Sequence, residues 1–158
     1  MRPVVVAALV ALTAAAAAAD LAPVDKTVVR DARAKQQLVG AHRLSLQWIG
    51  WKKLGRARVR EEDGVLRLSG EQFGQSSAGG RAAIDTLRVW GSIVEVRAKE
   101  FVLRGTITTQ VSTIAGGRAC TRSGDFTFAL RGTRKYWRLQ QMQNPCEDVL
   151  DYVDLYLR

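Results

Sequence analysis

The amino-acid sequence predicts an all-β domain, an antiparallel meander of about eight or nine strands closing into a small barrel, with a short N-terminal helix after a signal peptide. Three observations predict it. From residue 43 onward, apolar side chains recur at every second position. Turn residues separate the runs at hairpin distances. No helical period interrupts the sequence of strands. Such a meander curls into a barrel or a two-layer sandwich. The barrel is favoured because closure removes unpaired edges, and one core of this length suits about eight strands.

Residues 1–19 open with Arg2, continue with an apolar run over 4–12 and end in small residues over 14–19, before Asp20. Ala17 and Ala19 occupy the positions that a signal peptidase reads, so the stretch reads as a cleaved secretory leader. It is too short and alanine-rich for a spanning helix, which needs about 20 predominantly apolar residues. The expected product is an exported soluble protein, periplasmic or secreted and not membrane-spanning. Residues 20–42 read as an N-terminal segment with a short helix, and residues 43–158 as the barrel domain.

The 158-residue chain carries a formal net charge of +9, and arginine outnumbers lysine. The guanidinium fork suits phosphate and carboxylate groups. Acidic partners of an exported protein are anionic lipid, lipopolysaccharide or polysaccharide, with an envelope protein as the alternative and no nucleic acid expected. The same charge also serves solubility alone.

In chain order, residues 28–39 show near-helical spacing through Val28, Val29, Ala32 and Gln36, with Asp25 as the expected cap and Gly40 as the stop. Alternation then runs through Leu44, Leu46 and Trp48, through Ala57 and Val59, and through Leu66 and Leu68. It resumes at Val94 and Val96, at Phe126, Phe128 and Leu130, at Trp137 and Leu139, and at Val153, Leu155 and Leu157. Asp63-Gly64 suits a tight primed turn. Further reversals are expected at Trp90-Gly91, Lys99-Glu100, Gly116-Gly117, Ser123-Gly124-Asp125 and Arg131-Gly132-Thr133, and a loose Gly/Ser-rich loop over 73–80.

The short helix followed by Leu38-Val39-Gly40-x-x-Arg43-Leu44 resembles the opening of calycin-type, lipocalin-like barrels. Those barrels often carry Gly-x-Trp there. Here the residues are Gly40-Ala41-His42 and tryptophan arrives only at Trp48, so the motif is broken. The resemblance implies a fold and no site. The carboxy-terminal stretch with Tyr136-Trp137-Arg138, Asn144-Pro145-Cys146 and Asp151-Tyr152-Val153-Asp154 is similar to small exported bacterial proteins of uncharacterised function, and implies no mechanism.

Cys120 and Cys146 are the only cysteines and read as one disulfide in an oxidising compartment. The bridge would stabilise by about 3 kcal/mol. Two Cys and one His supply a metal poorly, and no metal or cofactor is expected. His42, the single imidazole, lacks a nucleophile motif and reads as a surface or strand-end residue. Of the acid pairs at Glu61-Glu62-Asp63, Glu147-Asp148 and Asp151 with Asp154, the first sits on the tight turn and reads as ordinary solvated groups. Asp151 and Asp154 differ by an odd number and are expected on opposite faces of a strand, so a hydrolytic acid pair would need long-range folding.

The strongest surface feature is Arg56, Arg58 and Arg60, which share one face of a strand opposite Ala57 and Val59 and form a ladder able to grip acidic groups. Glu61 and Glu62 are the nearby candidates to neutralise it. Trp48, Tyr136, Trp137 and Arg138 complete the candidate ligand-binding set, with Trp137 expected to point inward. The favoured function is non-enzymatic binding of an apolar or acidic envelope ligand at the barrel mouth or interior. The alternatives are a protein-interaction module using the 73–80 loop, as an inhibitor or assembly factor, and a hydrolase.

Overall fold

The structure is a computed structural model that describes residues 20–158, so the leader expected over 1–19 lies outside the described residues. The chain runs through β1 (Val28–Val29), α1 (Ala32–Leu38), β2 (Gly40–Leu46), β3 (Gly55–Glu62), β4 (Val65–Ala78), β5 (Arg81–Val96), β6 (Glu100–Gln110), β7 (Cys120–Ala129), β8 (Tyr136–Leu139) and β9 (Val153–Tyr156). Each of β2 to β9 pairs antiparallel with its neighbours, and β9 returns to pair with β2. The result is a closed eight-stranded barrel, as the alternation predicts. The extra strand β1 joins β5 in parallel, pairing Val28 with Glu95 and Val29 with Val96.

Alternation sets the two faces of every strand. Leu44, Val59, Leu68, Leu87, Val89, Leu103, Ile107, Phe128, Leu139 and Leu155 point inward and are buried. Phe101 stacks on Phe128 with ring centroids 5.0 Å apart, and Trp137 meets Phe101 edge-on at 5.9 Å. These rings fill the interior close to the β5–β6 and β7–β8 turns, at one end of the barrel, where an apolar ligand is one expectation.

Helix α1 stops one mouth of the barrel by burying Ala34 and Leu38 in the core. It is shorter than the period suggests. Val28 and Val29 are drawn into pairing with β5, so Asp31, not Asp25, caps the helix by accepting from the Ala34 amide at 2.7 Å. Thr27 wedges in where β4 and β5 part, accepting from Leu66 N and donating to Ile93 O. The other mouth holds the loops 47–54, 111–119 and 140–152. There Cys120–Cys146 is formed as expected, tying β7 to the 140–152 loop.

Two expected reversals and most of the expected loose loop fall inside strands. Trp90-Gly91 lies in β5, Ser123-Gly124-Asp125 lies in β7, and residues 73–78 extend β4 up to the Gly79-Gly80 turn. The physical reason is that glycine here serves close approach, not turning. Gly91 pairs with Gly105, which pairs with Gly124. A Cβ on Gly105 would lie 2.1 Å from the Trp90 carbonyl oxygen, so only glycine lets β5 and β6 press together and the sheet coil shut. Asp63-Gly64 is the primed turn expected, with positive φ at both residues. The barrel begins at Gly40, three residues before the expected start, and β2 ends at Leu46, which leaves Trp48 beyond the strand.

Gly105→Ala is expected to destabilise the fold by about 1–3 kcal/mol through backbone overpacking, measured by urea denaturation. An unchanged midpoint would show that the close approach of β5 and β6 is not required.

Candidate functional site

The outer face of the β2–β3–β4–β5 sheet carries a strongly charged groove. Register aligns two rows across these strands. Arg43 lies opposite Arg56, Arg56 opposite Glu71, and Glu71 opposite Arg88. In the adjacent row Ala41 lies opposite Arg58, Arg58 opposite Ser69, and Ser69 opposite Trp90. Long arginines flank the small Ala41, Ser69 and Gly70, so the side chains themselves build walls around a depression of about 780 Å³. Arg158 from the carboxy terminus closes one side, and Trp90, 45% exposed, stands at the other. A smaller groove of about 320 Å³ continues past Trp90 between Arg58, Arg60 and Arg67.

The acids expected to neutralise the ladder are engaged elsewhere. Glu61 pairs with Lys35 at 2.8 Å and Glu62 with Arg67 at 3.0 Å. Among the described residues no ion pair joins Arg43, Arg56, Arg58, Arg60 or Arg88 to a carboxylate. Neighbouring like charges across strands repel, and in this groove Glu71 is the single carboxylate among five guanidinium groups. Arg88 also lies over the Phe73 ring, 5.9 Å from its centroid.

Arg56 and Arg58 therefore line the main groove and Arg60 the adjoining one. The other candidates lie apart. Trp137 is buried in the interior. Arg138 chelates Asp154 through two 2.7 Å bonds, and the Asp154 hydrogen bond holds its guanidinium above the ordinary arginine value. The Tyr136 and Tyr152 rings cover Arg138, with centroids 5.1 and 4.4 Å from its guanidinium carbon. This cluster straddles β8 and β9 on the outside of the barrel and leaves Asp154 fully buried, not solvated. Trp48 donates its indole N–H to Asp151 at 3.1 Å while its ring stays partly exposed.

Asp151 is likewise buried, and desolvation pushes its carboxyl up against the opposing pull of Arg122, Trp48 and Asn144. Burial lowers the Arg122 guanidinium. On the exposed rim the signs invert. Hydrogen bonds from Arg30 and Arg97 hold Glu95 below its usual range, and Arg104 does the same for Asp125.

His42 is not a surface residue. It sits inward on β2 with Nδ1 2.8 Å from the Tyr156 carbonyl and Nε2 2.7 Å from the Leu38 carbonyl, so both ring nitrogens are engaged with backbone. Among the described residues no cluster of His, Cys, Asp and Glu is disposed to hold a metal ion, and no helix is long and apolar enough to cross a membrane.

Arg43, Glu71, Arg88, Trp90 and Arg158 were not legible as site residues. Arg88 and Trp90 have matching parity, which is the signal that finds them, but a reversal read at Trp90-Gly91 breaks the strand between them. Asp154→Asn is expected to cost about 3 kcal/mol by stranding Arg138 under its tyrosines. Thermal unfolding measures the loss, and a melting point within a degree or so of the parent would contradict it.

Comparison with known proteins follows this geometry. The PM1083 family model matches residues 26–157. A protein of Pasteurella multocida (strain Pm70) named "Uncharacterized protein PM1083" is 36% identical over 122 residues, covering 77% of this chain and 74% of that protein. No solved structure matches the chain. The match spans the helix and every strand of the closed barrel, and on it the chain belongs to the PM1083 family, whose curated relative is uncharacterised.

Proposed function

We propose that this chain is an exported, non-enzymatic binding protein whose outer groove takes an acidic saccharide of the cell envelope, a uronate or sugar-phosphate unit. The observation that carries the reading is the cluster of guanidinium groups from Arg43, Arg56, Arg58 and Arg88, which no carboxylate ion-pairs among the described residues, beside the exposed Trp90. Guanidinium forks grip carboxylate and phosphate in two-point contacts. An indole face offers a flat apolar surface on which a sugar ring can lie. The groove is open along its length and suits part of an extended chain better than an enclosed small molecule.

Each arginine contact in so exposed a groove is worth little alone, so affinity comes from several acting together and weakens as salt screens them. Export rests on the leader pattern over residues 1–19.

A second reading is favoured by one specific feature. Beyond Phe73 and Thr86, strands β4 and β5 pair only with each other among the described residues, forming a two-stranded arm with open edges. Open edges accept a partner strand, which fits the protein-interaction alternative. Residues 73–78 of that arm are strand and not the loose loop first assigned to this role.

Calorimetry with polygalacturonate and uncharged dextran tests the first reading. Polygalacturonate is expected to bind and dextran not to. The double substitution Arg56→Ala with Arg58→Ala should weaken binding at least about tenfold, equivalent to roughly 1.4 kcal/mol, and Trp90→Ala should weaken it further. Equal binding of dextran, or unaltered affinity in the double variant, would overturn the reading. A stoichiometric protein recovered from envelope extract, and lost when Ile84 is changed to Lys, would favour the interaction module instead.

A further inference from the structure

The mouth opposite helix α1 carries a second surface, separate from the groove. The loop over residues 47–54 reads Gln-Trp-Ile-Gly-Trp-Lys-Lys-Leu. Its backbone is held at several points. The side-chain amide of the fully buried Gln72 donates to the carbonyls of Gly50 and Lys53, each at 3.1 Å, and accepts from Leu46 N at 2.7 Å. Gln47 donates to Leu150 O and accepts from Tyr152 N, and the Trp48 indole is fixed to Asp151. Ile49 packs against Gly74, where no side chain would fit.

This anchoring presents other side chains to solvent. Trp51 is 52% exposed and Trp48 39%, and Leu150 on the neighbouring loop is 43% exposed. Lys52 and Lys53 follow Trp51 directly, both exposed, and no ion pair joins either to an acid among the described residues. Arg81 lies at the tip of the β4–β5 arm at this same mouth, and Arg118 on the 111–119 loop. The exposed acids of this mouth, Glu147 and Asp148, are engaged by the loops themselves, Glu147 accepting from Ala115 N of the neighbouring loop and Asp148 from the Gln143 side chain of its own. A large apolar side chain held in water on a tethered loop is a standing cost. Indole rings beside lysine form the pairing that sits at the headgroup level of a bilayer, and each basic residue near an anionic surface adds attraction of its own.

We infer that this mouth docks on an anionic phospholipid surface, with Trp48 and Trp51 lying among the headgroups and Lys52 and Lys53 against their phosphates. The contact is peripheral and reversible, since two indoles and two lysines anchor weakly. It does not depend on what the groove binds, and it orients the barrel upright, with the groove on its flank facing away from the lipid.

The processed chain is mixed with vesicles of phosphatidylcholine alone, or of phosphatidylcholine and phosphatidylglycerol at about three to one, and vesicle-bound protein is measured by sedimentation. Tryptophan quenching by brominated lipid is recorded in parallel. The charged vesicles are expected to retain at least about fivefold more protein than the neutral ones. Lys52→Glu with Lys53→Glu should abolish that excess, Trp51→Phe should remove most of the quenching, and Trp90→Phe should keep it. The groove variant Arg56→Ala with Arg58→Ala should bind vesicles as the parent does. No retention on charged vesicles, full retention by the lysine variant, or loss of retention in the groove variant would each overturn the inference. If a loop variant fails to fold by circular dichroism, quenching of the parent and of Trp90→Phe still decides, because its absence there contradicts headgroup insertion.

Discussion

The structure depends on its seam, where the last strand meets the first strand of the barrel. Strand β9 is only four residues long, yet it pairs with β2 through Leu44–Leu155, Ser45–Asp154 and Leu46–Val153 and with β8 on its other side. Without it the sheet has two open edges and the interior loses Val153 and Leu155. Both faces of the seam are reinforced. Inside, His42 joins the helix carbonyl of Leu38 to the β9 carbonyl of Tyr156. Outside, Arg138 grips Asp154 beneath Tyr136 and Tyr152, a buried charge pair with its remaining bonding capacity largely met, which is the condition under which such a pair is tolerated.

Closure also determines where charge is left over. Once apolar residues fill the inside, every outward position of β2 to β5 is free for polar side chains, and many of these are arginine. The ion-paired acids lie away from the arginine groove. Glu95 holds Arg30 and Arg97 at the β5–β6 turn, Glu61 reaches Lys35 of the helix, and Asp125 takes Arg104. Mid-sheet, between β2 and β5, only Glu71 interrupts the arginine row. The seam contributes here too, because Arg158 follows β9 into the groove wall while donating to the Gln36 carbonyl of the helix.

Much of this was legible in the sequence because alternation is a local signal. The inward set Leu44, Val59, Leu68, Phe128, Trp137, Leu139 and Leu155, the Asp63-Gly64 turn and the Cys120–Cys146 bridge all follow from residue type and spacing. What was not legible depends on pairing between distant segments. Gly91, Gly105 and Gly124 look like turn residues one at a time, and only their alignment across three strands reveals them as the line where backbones meet. Asp154 meets Arg138 only because β8 and β9 lie side by side. The groove was half-legible: the period of two on β3 identifies Arg56, Arg58 and Arg60, but Arg43, Arg88 and Arg158 join them only through register. The family match is to PM1083.

The central claim is that β9 locks the barrel shut, and amide hydrogen exchange tests it most directly. The amides of Val153, Asp154 and Leu155 should exchange as slowly as those of Leu103 and Phe128 in the middle of the sheet, since opening the seam would require opening the core. Exchange of the β9 amides as fast as those of the Gly79-Gly80 turn would mean that the last strand is only loosely applied, and would contradict the closed barrel on which both proposed surfaces rest.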